Sequence, residues 1–295
     1  MNHSCTAYLY AAFFKTLNKN IMKYFSLLFL LAAYACTVNA QHTVAKLWSS
    51  DTVLPETESV YFDAANKVLY VSVIDGDPSA KDSKGEIAKV GLDGKIINAS
   101  WVSGLNAPKG IGKYGDLLFV ADVTDLAIID IKTGKVTNRL PIPGSSFLND
   151  VTVDANGVVY VSDSDKGLVY KIESGIVVTY LDNLKGPNGV LAIKDNLYVL
   201  ISGNLVKVDA DKKMQTIATG LDPSTDGIEM VQDGEFIVSS WSGIVYYVKA
   251  DGSKDILYDT RESKINAADI GFDPKKKIIY VPTFFKNGVV AYSLK

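Results

Sequence analysis

Leu69-Tyr70-Val71, Leu118-Phe119-Val120, Val159-Tyr160-Val161, Leu197-Tyr198-Val199, Phe236-Ile237-Val238 and Ile279-Tyr280-Val281 are six copies of one short pattern, two apolar residues, one of them usually aromatic, followed by Val. Their central residues fall at 70, 119, 160, 198, 237 and 280, so the spacings are 49, 41, 38, 39 and 43. Short runs of β-branched and aromatic residues between Gly, Asn and Asp turns are strand signals. A period near 40 with several such strands per repeat predicts a β-propeller.

Each repeat resolves into four strands. In the third they are expected at 150–155, 158–163, 167–172 and 176–181, with Asn156-Gly157 turning the first into the second. No stretch after residue 41 carries a helical period. The sixth repeat ends after its third strand, near Ser293, while residues 43–48 precede the first repeat without a blade of their own. Pairing that segment with the sixth blade would close the ring and cover two sheet edges. The expectation is therefore an all-β, six-bladed propeller of four-stranded blades, one domain over residues 41–295, closed by an N-terminal strand.

The chain of 295 residues has 30 Lys+Arg, 33 Asp+Glu, 2 Cys and 2 His. Cys5, Cys36 and His3 all lie in residues 1–40, which hold Lys15, Lys19 and Lys23 and no acid. Met22 begins a segment with the marks of a secretory signal over residues 22–40: Lys23, an apolar run from Phe25 to Ala33, and Val38-Asn39-Ala40 before Gln41. That run is too short to span a bilayer. Residues 1–21 read as an upstream extension, so the start codon is Met1 or Met22. The expectation is an exported protein, periplasmic or secreted, with no membrane span in the mature chain. Lipid anchoring through Cys36 is the lesser alternative, because Tyr34 stands where a small residue is wanted.

Removal of those 40 residues leaves 255, a net charge of −6 instead of −3, no Cys, and His42 alone among histidines. Thiol chemistry, Cys/His metal sites and a Ser-His-Asp triad in the core are then excluded. The negative charge and lack of a basic stripe also exclude nucleic acid as a partner. A small-molecule substrate is expected instead; oligomeric state is not legible.

The first strand of each propeller blade lines the central channel. The residues leading into those strands are Glu58, Lys109, Asn149, Asn188, Asp226 and Asp269, all polar or charged. Turn preference accounts for Asn, Asp and Gly at any single position. It does not account for Glu58, nor for recurrence at one register in six repeats. Two carboxylates and two carboxamides converging on an axis suit a hard divalent cation, calcium first, with zinc, magnesium or manganese as alternatives.

On Glu58, Asn149-Asp150, Asn188-Gly189 and Asp226-Gly227, matched blade by blade, the chain resembles the senescence marker protein/gluconolactonase family of six-bladed propellers, which also includes luciferin-regenerating enzyme-like members. The resemblance covers residues 43–295. It implies one divalent cation held by Glu58, Asn149, Asn188 and Asp226, and hydrolysis of a lactone or related ester. It also implies that Asp226 is the catalytic group that activates water. Apart from the resemblance, Asp150 or Asp269 could instead be that base. The chain departs from the family at Ser59-Val60-Tyr61, where a Pro and a Trp usually follow the Glu. It departs again at Phe147, where sugar-acid lactonases often place an Arg, and at Lys109, a cation beside the hub. These departures weigh against a sugar lactone.

Substrate contacts are expected from Lys109, Phe147, Asp150, Trp241, Asp269 and Phe284, with Phe285 beside them and the long loop 74–85 as a lid. The competing expectation is a non-catalytic propeller that binds a ligand or protein, since fold does not fix function. A strictosidine synthase-like propeller is disfavoured, because it does not need the four-residue ligand set.

Overall fold

The computed structural model describes residues 41–295; the expected signal segment, Cys36 and both candidate start codons lie outside the described residues. All regular structure among the described residues is β-strand, arranged as six antiparallel sheets of four. The first blade contains β2 (Thr57–Asp63), β3 (Val68–Val73), β4 (Gly85–Gly91) and β5 (Ile96–Leu105). The second holds β6 (Pro108–Tyr114), β7 (Leu117–Asp122), β8 (Asp125–Asp130) and β9 (Lys135–Pro141). The third runs from β10 (Leu148–Val153) through β11 (Val159–Asp163) and β12 (Leu168–Glu173) to β13 (Ile176–Leu181). The fourth contains β14 (Pro187–Ile193), β15 (Asn196–Ile201), β16 (Asn204–Val208) and β17 (Met214–Ala218). The fifth contains β18 (Thr225–Gln232), β19 (Glu235–Ser240), β20 (Ile244–Val248) and β21 (Lys254–Asp259). The sixth has the order β1-β24-β23-β22, with β22 (Gly271–Asp273), β23 (Ile278–Pro282) and β24 (Val289–Leu294) joined by β1 (Val44–Ser49).

The six apolar runs are the second strands of the blades. Most of their residues are buried on both faces, as Leu69, Tyr70 and Val71 show at 0% exposure, while Phe119 and Tyr160 are half-buried. A strand sandwiched between two neighbouring blades has no solvent face, so its sequence is continuously apolar and does not alternate. The outer strands, half open to water, alternate again: Ile176 and Val178 on β13 are exposed while Leu181 is buried. Six apolar clusters fill the six seams between blades. One joins Tyr198 and Leu200 of the fourth blade to Phe236 and Val238 of the fifth, and another joins Tyr280 and Ala291 of the sixth to Leu69 and Val71 of the first. The ring is therefore closed by side-chain burial as well as by hydrogen bonds.

The closing strand is β1, as the incomplete sixth repeat predicts. Val44 pairs with Leu294 and Ser49 with Val290, and Thr43 and Lys295 exchange two backbone hydrogen bonds. Just before it, the His42 ring stacks on Tyr247 at 3.5 Å, and its Nδ1 lies 3.0 Å from Asp255 Oδ2. This ties the last blade to the fifth.

Candidate functional site

A register shift at the start of the first strand places the hub side chains. In five blades the regular ladder between first and second strands breaks over two residues: between Thr57 and Val60, Pro108 and Ile111, Leu148 and Val151, Pro187 and Val190, and Thr225 and Ile228. Such irregularities re-aim side chains at the edges of sheets. The first residue inside each break is Glu58, Lys109, Asn149, Asn188 or Asp226, so these five share one position, two before the partner of the Val that ends each apolar run.

The sixth hub position is not Asp269. Gly271 pairs with Tyr280 and Asp269 bridges Ser59, which puts Asp269 level with the residue after Glu58 and leaves Ala268 at the hub register. The sixth blade thus contributes an apolar residue. Asp269 belongs with Ser59, Gly110, Asp150, Gly189 and Gly227, where inner strands of adjacent blades meet. There its Oδ2 accepts the Ser59 hydroxyl at 2.5 Å, and its backbone N–H donates to the Glu58 carbonyl at 2.9 Å. Asp150 has a similar role: its oxygens accept the N–H groups of Val151 at 2.6 Å and of Val190, one blade over, at 2.7 Å. Glycine at the other seams is a matter of space. A Cβ on Gly189 would lie 2.2 Å from the Asp226 carbonyl oxygen, and one on Gly227 would lie 2.5 Å from Asp269 Oδ1.

Three serines that the sequence reading passed over hold the breaks in place. Ser72, Ser162 and Ser239 each stand directly after the Val of an apolar run and accept the N–H of Ser59, Asp150 and Gly227, at 2.8, 3.0 and 2.8 Å. Asp122 and Asp163, one residue further along their strands, accept N–H groups of the loops leading to Lys109 and Asn149. Asp122 binds Asn106 and Ala107, and Asp163 binds Ser146 and Phe147. The available signal was a Ser or Asp at a fixed offset after the Val.

The side chains converge on a cavity of about 370 Å³, within the range of small-molecule sites. Its floor is polar: Glu58, Asn149, Asn188 and Asp226, with Lys109 beside them. Its walls are largely apolar and come from Ile74, Pro78, Phe147, Pro223, Trp241 and Phe284. Of the predicted substrate contacts, Lys109, Phe147, Trp241 and Phe284 line it. Asp150 and Asp269 do not; they line a second cavity, further along the channel, with Ser59, Lys113 and Glu229.

Asn188 Nδ2 donates to Asp226 Oδ1 at 3.0 Å, and Asn149 Nδ2 donates to Ser164 Oγ at 3.0 Å. Both carboxamide oxygens are thereby left as acceptors. Asn188 Oδ1 and Glu58 Oε2 are buried without a hydrogen-bond partner. Burial pushes the Glu58 carboxyl well above its ordinary range, and repulsion from Asp226 and Asp150 adds to this against the pull of Lys109. Burial, with Asp150 close by, pushes Asp226 up to about 8, although the Asn188 bond lowers it. Burial lowers Lys109, against the pull of Glu58 and more distant acids. Its ammonium donates to the Pro78 carbonyl at 2.7 Å and the Ala107 carbonyl at 3.1 Å, and lies 4.3 Å from the centre of the Phe147 ring. It therefore ties loop 74–84 to the hub. In the channel beyond, burial raises Asp150 to about 6 despite its two N–H bonds, and raises Glu229 to about 8.

Orphaned buried acceptors beside two carboxylates are costly unless a cation or proton satisfies them. An oxygen-only donor set of this kind fits a hard divalent ion such as calcium. Among the described residues no cluster of three or more His, Cys, Asp or Glu is placed to hold a metal, so any such site here depends on the two carboxamides.

No protein-family model and no curated protein matches this chain. Solved structures share its fold. One is "Streptogramin B lyase structure", at 10% identity and TM-score 0.63, covering 86% of this chain and 98% of that one. A chain of "Crystal structure of Nidogen/Laminin Complex" matches at 16% identity and TM-score 0.62, covering 73% and 84%. A structural genomics protein of unknown function from Bacteroides thetaiotaomicron VPI-5482 matches at 11% identity and TM-score 0.63, covering 86% and 76%. At such identities the likeness establishes the six-bladed propeller fold and nothing finer.

Proposed function

We propose that this six-bladed propeller is an exported, divalent-cation-dependent hydrolase of the gluconolactonase type, acting on a lactone or related ester at the hub. One observation carries the proposal: Glu58 Oε2 and Asn188 Oδ1 are buried without partners in a cavity they share with Asp226 and Asn149. Glu58, Asn149, Asn188 and Asp226 would hold the cation, calcium before zinc, magnesium or manganese. When bound, it supplies a Lewis acid toward a carbonyl oxygen. Asp226 Oδ1 is occupied by Asn188, which leaves Oδ2 to accept a proton from water. Phe147, Trp241 and Phe284 exclude bulk water from the cavity walls, and Lys109 supplies positive potential at one side of the floor.

The second reading, a propeller that binds a ligand without turnover, draws on Trp241 and Phe285, which are 38% and 57% exposed. Metal analysis and melting with added calcium, followed by a panel of aliphatic and sugar lactones with and without chelator, separate the two. Calcium at a hundredfold excess over its Kd should add about 2.7 kcal/mol of stability, and Glu58→Gln and Asp226→Asn should each abolish that gain. Chelator-sensitive turnover supports the hydrolase. A calcium response without turnover supports the binding reading, and the absence of any response to a divalent cation removes the metal site. The export component is tested by N-terminal sequencing, with Gln41 as the expected first residue.

A further inference from the structure

Trp241, Phe284 and Phe285 form an aromatic cluster at the mouth of the hub cavity. Trp241 follows β19 and the two phenylalanines follow β23, so they come from adjacent blades and meet over the same end of the channel. Their rings are mutually edge-to-face: Trp241 to Phe284 at 5.5 Å and 74°, Trp241 to Phe285 at 5.9 Å and 79°, and Phe284 to Phe285 at 4.7 Å and 86°. The geometry is held firmly. Phe284 has φ +45°, a left-handed conformation that a bulky residue adopts only under constraint. The turn that imposes it is fastened by Asn287 N–H to the Phe284 carbonyl at 2.9 Å and by Glu56 N–H to Asn287 Oδ1 at 3.1 Å. Trp241 is tied by its own N–H to the Ser224 carbonyl at 2.8 Å, and by Asn266 Nδ2 to its carbonyl at 2.8 Å.

Phe284 is buried and Trp241 and Phe285 are half open, so the cluster grades from cavity wall to exposed shelf. Ile74 packs with Phe284 in one buried apolar cluster, Pro78 and Phe147 extend the apolar lining, and the carboxyls and carboxamides supply the polar part of the same cavity. A polyhydroxylated ligand would leave hydroxyls unpaired against these walls. A ligand with a compact polar head and an apolar tail would satisfy both regions.

We propose that the Trp241–Phe284–Phe285 cluster receives the alkyl or aryl portion of the ligand, so that the substrate class is an apolar-substituted lactone or ester. This rests on the hydrolase reading of the same cavity. Full burial of a methylene is equivalent to about fourfold in affinity. A shelf open on one side should realise about half of that free energy, roughly twofold per methylene, or about sixteenfold from a butyl to an octyl substituent.

The test is isothermal titration of the full mature chain, in calcium, with γ-butyrolactams carrying alkyl chains of four to eight carbons, which resist hydrolysis. Hydrolysis of the corresponding lactones and of gluconolactone is followed in parallel. Affinity should rise about twofold per methylene, and Trp241→Ala and Phe285→Ser should flatten that slope. Ile176→Ser, at an exposed position on β13 away from the cavity, should leave it intact. No binding at any chain length, a flat series in the wild type, or an undiminished slope in both rim variants overturns the proposal. So does tighter handling of gluconolactone. Sedimentation showing a dimer that Phe285→Ser dissociates would also overturn it, by making the shelf a self-association surface. Chain-length-dependent lactam binding without lactone turnover would refute the hydrolase reading and leave the rim assignment standing. Lactone turnover without a slope would do the reverse.

Discussion

Two adjacent serines on β19 should respond in opposite ways to removal of their hydroxyls. Ser239 and Ser240 are both 0% exposed. Ser239 Oγ accepts the Gly227 N–H at 2.8 Å and donates to the Ala268 carbonyl at 2.7 Å. Ser240 Oγ is buried with no partner. Ser239→Ala leaves one buried N–H and one buried C=O unmatched, each costing about 1–3 kcal/mol. Relief from burying the hydroxyl itself offsets roughly 1 kcal/mol of this, so the net loss should be about 3 kcal/mol. Ser240→Ala removes only a hydroxyl that gained nothing by burial, and should be neutral or stabilising by up to about 1 kcal/mol. Equilibrium urea unfolding reads both. With an m-value of about 3 kcal/mol/M, Ser239→Ala should lower the midpoint by about 1 M, while Ser240→Ala leaves it in place or raises it. Equal destabilisation by the two substitutions would refute the hydrogen-bond account of the inner-strand break, because burial alone would then explain both. An unmoved midpoint for Ser239→Ala would refute it more directly.

Gly189→Ala should be poorly tolerated, losing about 3 kcal/mol or more, because its Cβ would meet the Asp226 carbonyl oxygen at 2.2 Å; a melting temperature unchanged from wild type would show that the seam can open. Lys109→Met removes the donor to Pro78 and Ala107, so limited proteolysis within residues 74–84 should accelerate, and an unchanged cleavage rate would show that the loop is held by other contacts. Burial raises the Asp255 carboxyl, but hydrogen bonds from the His42 N–H and ring and from Lys249 outweigh it and hold the group down from 3.8 to about 2. A depressed carboxyl contributes stability that is present above the unfolded value and lost as pH falls through the folded one. The stability gap between wild type and Asp255→Asn should therefore narrow between about pH 4 and pH 2, and a gap constant over that range would contradict the assignment.

The six runs were legible because the second strand of a blade is buried on both faces, so its signature is local and repeated. The closing strand was legible by subtraction, as a fourth strand missing at one end and a spare one at the other. Strand bounds in the third repeat fell within two residues of those observed, and 176–181 matched β13. Five of six hub positions could be found by counting back from those runs, since each lies 11 to 13 residues before the Val; the spread is the length of the hairpin, and what is constant is the position two before the Val's pairing partner.

The sixth failed for a physical reason. Its first strand, β22, is only three residues long, and the polar residue nearest the hub, Asp269, serves the seam with Ser59 and not the cavity. Composition cannot separate two neighbouring positions of one inner strand; only the register does. The same limit explains why Asn188-Gly189 and Asp226-Gly227 look like turns. Both glycines lie inside strands, and what requires them is the next blade's backbone, some 40 residues further along the chain. Single-chain patterns report what a residue prefers locally, and these glycines answer to a neighbour instead. It follows that the residues most open to misreading in this fold are those at the seams. A hub assignment made from sequence should therefore be anchored on the buried second strand, counting two back from the residue that pairs with its Val, whatever polar residue happens to lie nearby.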